Sequence, residues 1–507
     1  MSESYATLPA VTDAGAPRAP QEGPRAAFDA DGLAAATGGT LLVRGDRPIH
    51  GAAVDSRRVA EGAMFVALSG ERTDGHDHIA AALAAGAAAL VVSREPDAAA
   101  LAAIARAAGG VSVVRVADGI VALHAAAASW RTRFAPLVVG ITGSVGKTSM
   151  KEAVAAVLGS RMRTLRSPGN ENNEIGVPLT ILRLDEDTEA VVLEMGMYRG
   201  GEISALARIG RPSIGVVTLV APVHLERAGS MRAIEDAKAE LVEALPSDGV
   251  AVLNGDDPVV RTFDRRTRAR AVLYGFAVDA DVRAVDVRSL GSDGMAFTLT
   301  ADGMRRAIAL PVLGRHSVAN AAGAAAVGIA AGLDIDTIVD ALAGGWGAGH
   351  RAEIVDAGRF RILDDAYNAS PPSMLAALDI LAGLPGRPVA VLGEMLELGT
   401  ESGAGHREVG AAAGRTVDEL VVVGAGAVPI ADAATHAGLA ADRVHRVADR
   451  EAALATLRRI VRDGDIVLVK ASRGAALDLP ATELRGGAAQ PADAAPPAGH
   501  APREPVR

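Results

Sequence analysis

The chain contains no cysteine, which rules out disulfides, thiolate-held zinc and thiol nucleophiles. Aromatic residues supply only 3% of it, so its cores must be packed from Val, Leu, Ile and Ala. Positive charge is in deficit, with 51 Lys and Arg against 61 Asp and Glu and a formal net charge of −10. Binding to phosphate backbones demands the opposite balance, which argues against a general nucleic-acid binder. No basic-then-apolar segment opens the sequence. Apolar runs such as "IAAALAAGAAALVV" at 79–92 are too short and too rich in Ala and Gly to cross a bilayer. A soluble, cytoplasmic protein without a membrane span is expected.

What is present is length and an α/β rhythm. The 507 residues exceed one ordinary core, so two to four domains are expected. Residues 1–28 and 486–507 are rich in Pro, Ala and Gly without periodicity and read as disordered tails. Residues 29–135 form a first α/β block, with strands at 63–68 and 88–92 around an Ala-rich helix. Residues 136–350 form a second, with strands at 137–141, 190–194, 214–219 and 250–253 and helices from Lys147 and over 230–245. Strands separated by helices predict a parallel, doubly wound sheet. Residues 351–485 form a third, smaller Rossmann-like block, with strands at 360–364, 388–392, 419–423 and 466–469.

The second block opens on "VVGITGSVGKTSMKEAV" (138–154). Glycines at 143 and 146 let backbone N–H groups converge on a phosphate, and the helix start adds its dipole. Lys147 counters charge, and Thr148 has a hydroxyl for Mg²⁺. The first glycine of the longer P-loop is absent, with Ile141 in its place. A glycine turn that merely starts a helix would share this composition, but its position after an apolar strand favours a nucleotide site.

Glu194 ends an apolar strand, where parallel sheets put their ligands; it could pair with Thr148 on Mg²⁺ or simply face water. His224 stands just past another strand end, with Lys238 fourteen residues on in a helix; alone, each reads equally as structural or solvated. "SPGNENNEIGVPLTIL" (167–182) suits a polar substrate or an ordinary Asn-rich turn.

Taken in order, "DSR…DGH", "GITGSVGKTSMKE", "GNENNEIGVPLT", "EMGMYRGGEI", "HLERAGS…AKAEL", "LNGDDP", "GRHSVAN", "DDAYNASPPSM", "VLGEMLELG" and "GDIVLVKASR" resemble the Mur ligase family of ATP-dependent amide ligases over roughly residues 50–475. "DDAYNASP" with "GEMLELG" points to those members that join D-alanyl-D-alanine to UDP-N-acetylmuramoyl-tripeptide.

The resemblance implies a UDP-substrate domain, a central ATPase domain and a C-terminal Rossmann-like domain, in a monomer. It implies ATP held by Thr142, Gly143, Ser144, Val145, Gly146, Lys147 and Thr148, with His316, Asn320, Arg351 and Asp365. It implies two Mg²⁺ ions, one on Thr148 and Glu194, the other on Glu194, His224 and a carbamate formed on Lys238. Ser56, Arg57, Asn170 and Asn173 would contact the UDP-sugar peptide. Departures from the family pattern are Leu219 and Ala221 for Asn and Gly before the His, Ser370 for the second Asn of "YNAN", and Ala471 for the Gly of "KGS".

Two other readings remain open on sequence alone. One is a family member that adds a diamino acid to the muramoyl chain, or glutamate to folate. The other is a nucleotide-switched binding protein without ligase chemistry.

Overall fold

A computed structural model describes residues 26–70, 73–107, 110–223, 225–347, 349–472 and 477. The expected C-terminal tail, 486–507, lies outside them, as does the expected N-terminal tail except for its last three residues.

Those three correct the sequence boundary. Phe28 is buried, bridges Ile49 and packs its ring 4.9 Å from that of Trp130. Its apolar payload offsets the entropy of ordering that low-complexity neighbours cannot. Phe28→Ala is expected to cost about 3 kcal/mol, the range for emptying a buried aromatic site. A lowered melting temperature in calorimetry checks this.

Three sheets carry the fold. The first orders its strands Thr40–Val43, Ser112–Arg115, Ala89–Val92, Met64–Val66 and Ala52–Ala53; only the first pair is antiparallel. The second has nine strands: Met304–Leu310, Met295–Ala301, Val282–Ser289, Arg270–Gly275, Val250–Asn254, Ile214–Val217, Leu137–Thr142, Ala190–Glu194 and Thr164–Arg166. Its pairs are parallel except the last two at the Met304 end, which form antiparallel ladders. The sheet is therefore mixed, where sequence patterning suggests purely parallel strands.

Strand side chains alternate across the second sheet. Val139, Ile141, Val192 and Val216 pack beneath helices Lys147–Gly159 and Arg315–Ala330 through Met150, Val154 and Val318. Val138, Val191 and Leu193 face Glu202–Gly210 and Met231–Glu243 through Ile203, Leu206, Ala237 and Leu241. Helices on both faces make it doubly wound. This second core runs without a break into the first sheet, taking in Met64, Val66 and Trp130.

The third sheet orders Glu353–Asp356, Arg361–Asp364, Ile466–Lys470, Pro388–Gly393, Glu419–Val423 and Val444–Val447, again with one antiparallel pair at its edge. Packing divides the chain into two compact units. Among the described residues, one comprises those within Met1–Gly349 with Ser370–Leu384 and Met395–His406, and the other those within His350–Ala369 with Pro385–Glu394 and Arg407–Arg507. No helix among the described residues is long and apolar enough to cross a membrane.

Candidate active site

Strand Leu137–Thr142 runs straight into the glycine turn, and helix Lys147–Gly159 leaves it. Gly143 has φ 145° and Gly146 has φ 88°, a region that L side chains rarely adopt. A Cβ at Gly143 would also strike Thr218 Oγ1. No side chain caps the helix start, so its first N–H groups and dipole are directed at the turn. Lys147 Nζ folds back over the turn, donating to the carbonyls of Gly143 at 2.7 Å and Ser144 at 3.3 Å. Thr148 is buried one residue further on.

The turn is stapled to the end of strand Ile214–Val217. Thr218 Oγ1 donates to the Val145 carbonyl at 2.6 Å. Ser144 Oγ donates to the Ala221 carbonyl and accepts from the Ala221 N–H, both at 3.0 Å. "LNGDDP" braces that segment in turn, since Asn254 donates to the Thr218 carbonyl at 2.7 Å and Asp257 accepts from Val220 N–H at 3.0 Å. Ala221 and Leu219 make their bonds here through backbone atoms, so these two departures leave the staple intact. Gly143→Ala is expected to weaken nucleotide binding roughly tenfold or more, given about 1–3 kcal/mol of backbone strain. Calorimetric titration with ADP checks it.

Glu194 lies opposite Ile141 in the sheet and is 1% exposed. One carboxylate oxygen accepts from Asn172 Nδ2 at 2.7 Å; the other, Oε2, is buried with no hydrogen-bond partner. A buried carboxylate oxygen without a donor costs free energy unless a cation meets it. An Mg²⁺ ion, which takes one or two carboxylates with phosphate oxygens, fits that vacancy in the bonding. Lys238, 2% exposed, brings its Nζ to 3.5 Å from Thr142 Oγ1. Burial, reinforced by the charge of Lys147, pushes its ammonium far below the usual lysine range. A neutral amine is the form that adds CO₂. Among the described residues no cluster of three His, Asp or Glu could hold a metal. His224, the expected third ligand, lies outside the described residues.

Three family models match the chain: "Mur ligase family, catalytic domain" over residues 48–131, "Mur ligase middle domain" over 141–328 and "Mur ligase, glutamate ligase domain" over 350–473. The UDP-N-acetylmuramoyl-tripeptide--D-alanyl-D-alanine ligase of Mycobacterium tuberculosis (strain ATCC 25618 / H37Rv) is 40% identical, covering 85% of this chain and 91% of that one. Its namesake in Bacillus subtilis (strain 168) is 35% identical, covering 85% and 92%. The crystal structure of MurF from Acinetobacter baumannii superposes with a TM-score of 0.81 at 28% identity, covering 91% of this chain and 100% of that one. The chain belongs to the Mur ligase family and is of the MurF type.

In this Mur ligase the structure brings Thr142, Gly143, Ser144, Val145, Gly146, Lys147, Thr148, Glu194 and Lys238 to the carboxyl ends of three neighbouring strands and the helices that follow. Asn320 joins them, with its Oδ1 3.8 Å from where a Cβ on Gly146 would lie. His316 sits one turn earlier on the same helix, exposed. Ser56 and Arg57 form a short 3₁₀ turn capped by Asp55, whose carboxylate the adjacent Arg57 holds down at a pKa of about 2. Asn170 is exposed. Asn173 spends its side-chain oxygen on the N–H groups of Gly176 and Ile175, opening helix Gly176–Ile181.

Arg351 and Asp365 belong to the other unit. Arg351 stacks 4.2 Å over the ring of Tyr367, and Asp365 is paired with buried Lys470 at 2.6 Å; a role in nucleotide binding rests on the resemblance. Ser370, in place of Asn, takes the N-cap of helix Pro371–Ala382, its N–H donating to Ser373 Oγ at 2.9 Å. Sequence reasoning missed Asn172, Lys151 and Thr218. A lysine at the fourth position after Lys147 was the one signal available for Lys151.

Proposed function

We propose that this chain is an ATP-dependent ligase that joins D-alanyl-D-alanine to UDP-N-acetylmuramoyl-tripeptide, a step in peptidoglycan precursor synthesis in the cytoplasm. The observation that carries the reading is the convergence of a phosphate-cradling turn, a buried carboxylate with one donorless oxygen and a lysine whose ammonium burial disfavours. The relatives named for this reaction match over nearly their whole length, and a MurF of Thermotoga maritima, similar to this chain at a TM-score of 0.74, was solved in complex with ADP.

The physical problem is to bring a substrate carboxylate onto the γ-phosphorus of a polyanion. Lys147 leaves its two turn carbonyls and follows the transferring phosphoryl group, while the helix start orients the remaining phosphates. The carboxylate oxygen bonds to phosphorus as the bond to ADP breaks, giving an acyl phosphate. The dipeptide amine then bonds to the activated carbonyl carbon, phosphate leaves, and the amine proton is lost to solvent. Magnesium, when bound, supplies charge neutralisation along the phosphates. Thr148 and Glu194 are the proposed holders of one ion, and Glu194, His224 and a Lys238 carbamate of a second. Ser56, Arg57, Asn170 and Asn173 are proposed contacts of the UDP substrate. Domain limits near residues 135 and 350 and a monomeric state belong to the same proposal.

Phosphate release tests it, measured with UDP-N-acetylmuramoyl-tripeptide, ATP and D-alanyl-D-alanine and with each omitted in turn. Release should require all three. Release with a single amino acid in place of the dipeptide would move the chain to another branch of the family, and no release with any acceptor would leave only nucleotide binding.

A further inference from the structure

Lys151 is fully buried and plays no part in the chemistry just derived. Its Nζ donates to the carbonyls of Ser167 at 2.9 Å and Gly169 at 2.6 Å, and pairs with Glu152 at 3.0 Å. It also stands 3.9 Å from Glu194 Oε2, the oxygen that has no hydrogen-bond donor. Three partners match the three protons of an ammonium, so Glu194 receives its field without a bond.

The loop that Lys151 grips is connected in two directions. Toward the strand end, Asn172 Nδ2 donates to Glu194 Oε1 at 2.7 Å, the Gly196 N–H donates to the Asn172 carbonyl at 2.7 Å, and the Glu194 N–H donates to Ser167 Oγ at 3.2 Å. Toward the first sheet, Glu171 pairs with Arg58 at 2.8 Å, the residue next to Ser56 and Arg57. A single loop thus joins the proposed substrate segment to the proposed metal carboxylate. Its only tie to the P-loop helix by a buried charge, among the described residues, is Lys151.

We propose that Lys151 is a positioning residue: it clamps the 167–173 loop and, with Asn172, fixes Glu194, so that muramoyl-substrate binding and the metal carboxylate are set by the same buried cation. The inference rests on the ligase reading for its substrate, but the clamp itself does not. A lysine kept only for packing would affect all substrates alike, whereas a clamp acts through one loop.

The test compares full-length wild type with Lys151→Met, which keeps length and loses charge. Two readouts are taken: amide hydrogen exchange by mass spectrometry, and the three substrate KM values with kcat. Exchange at 167–173 is expected to rise at least tenfold, with the helix 202–210 unchanged. KM for the UDP-muramoyl substrate is expected to rise at least tenfold, with that for D-alanyl-D-alanine within twofold. A folded Lys151→Met protein with unchanged loop exchange, or with all three KM values raised together, overturns the proposal. Should that variant not fold, Asn172→Ala carries the same two readouts, and no change in either overturns it. Should wild type not turn over the muramoyl substrate, the ligase reading fails and the exchange data alone decide the clamp.

Discussion

Lys147→Ala is expected to reduce turnover by roughly three orders of magnitude or more, because a preorganised cation facing developing charge is worth several kcal/mol of barrier. The fold should survive. Lys147 is half-buried, and its bonds to the carbonyls of Gly143 and Ser144 lie within its own turn. A second effect separates a local loss from unfolding. The charge of Lys147 is one of the causes that depress Lys238, so removing it lets the Lys238 ammonium form at higher pH. The residual activity should therefore fall off at a higher pH on the acid side than in wild type. A soluble mutant with normal turnover would reject the nucleotide assignment, and a shifted acid limb with lost turnover would support it.

Lys238→Ala is expected to be nearly inactive and to recover partly when a short carboxylic acid such as acetate is added. A plain ammonium within a few ångströms of Mg²⁺ would repel it by more than roughly 1 kcal/mol even at the dielectric of water. A carbamate reverses that sign and adds oxygen ligands. An added acid would replace the anion in the space left by the side chain, whereas ethylamine at the same concentration should do nothing. The same burial gives a stability signature. Below about pH 10.4 the unfolded chain takes up a proton at this lysine that the folded chain does not, so stability falls as pH drops from there toward the depressed folded value. Lys238→Ala should lose that slope in CO₂-free buffer, read by chemical denaturation across pH. An active mutant indifferent to acetate would remove the carbamate from the account while leaving the phosphate cradle in place.

Legibility in the sequence followed how local the cause was. Strand Glu419–Val423 is five buried residues in a row, and a run of that kind announces itself. Strands Val282–Ser289 and Met304–Leu310 do not. One face of each meets solvent, and "VRAVDVRS" and "MRRAIAL" interleave Arg and Asp with apolar residues, so neither shows an unbroken apolar signal. The glycine turn at 143–146 was readable because its backbone demands glycine where it stands. Asn173, a proposed substrate contact, also spends its side-chain oxygen on the first N–H groups of a helix, because an amide side chain serves either purpose and only its neighbours decide. Burial decides Lys151 and Lys238 in the same way. Nothing within "SMKEAV" or "DAKAEL" tells that these two lysines end inside the protein.

Ala471 carries a consequence for descent. It follows strand Ile466–Lys470, beside the last residue of strand Pro388–Gly393. A methyl on Gly393 would come 2.7 Å from the methyl of Ala471 and 2.8 Å from Leu477 Cδ1, closer than packed carbons approach. Alanine at 471 thus closes position 393 to any side chain unless Ala471 and Leu477 give way. The two positions are therefore epistatic, and the order of substitution is constrained. Glycine at 471, with the space of Leu477 vacated, is needed before any side chain can stand at 393.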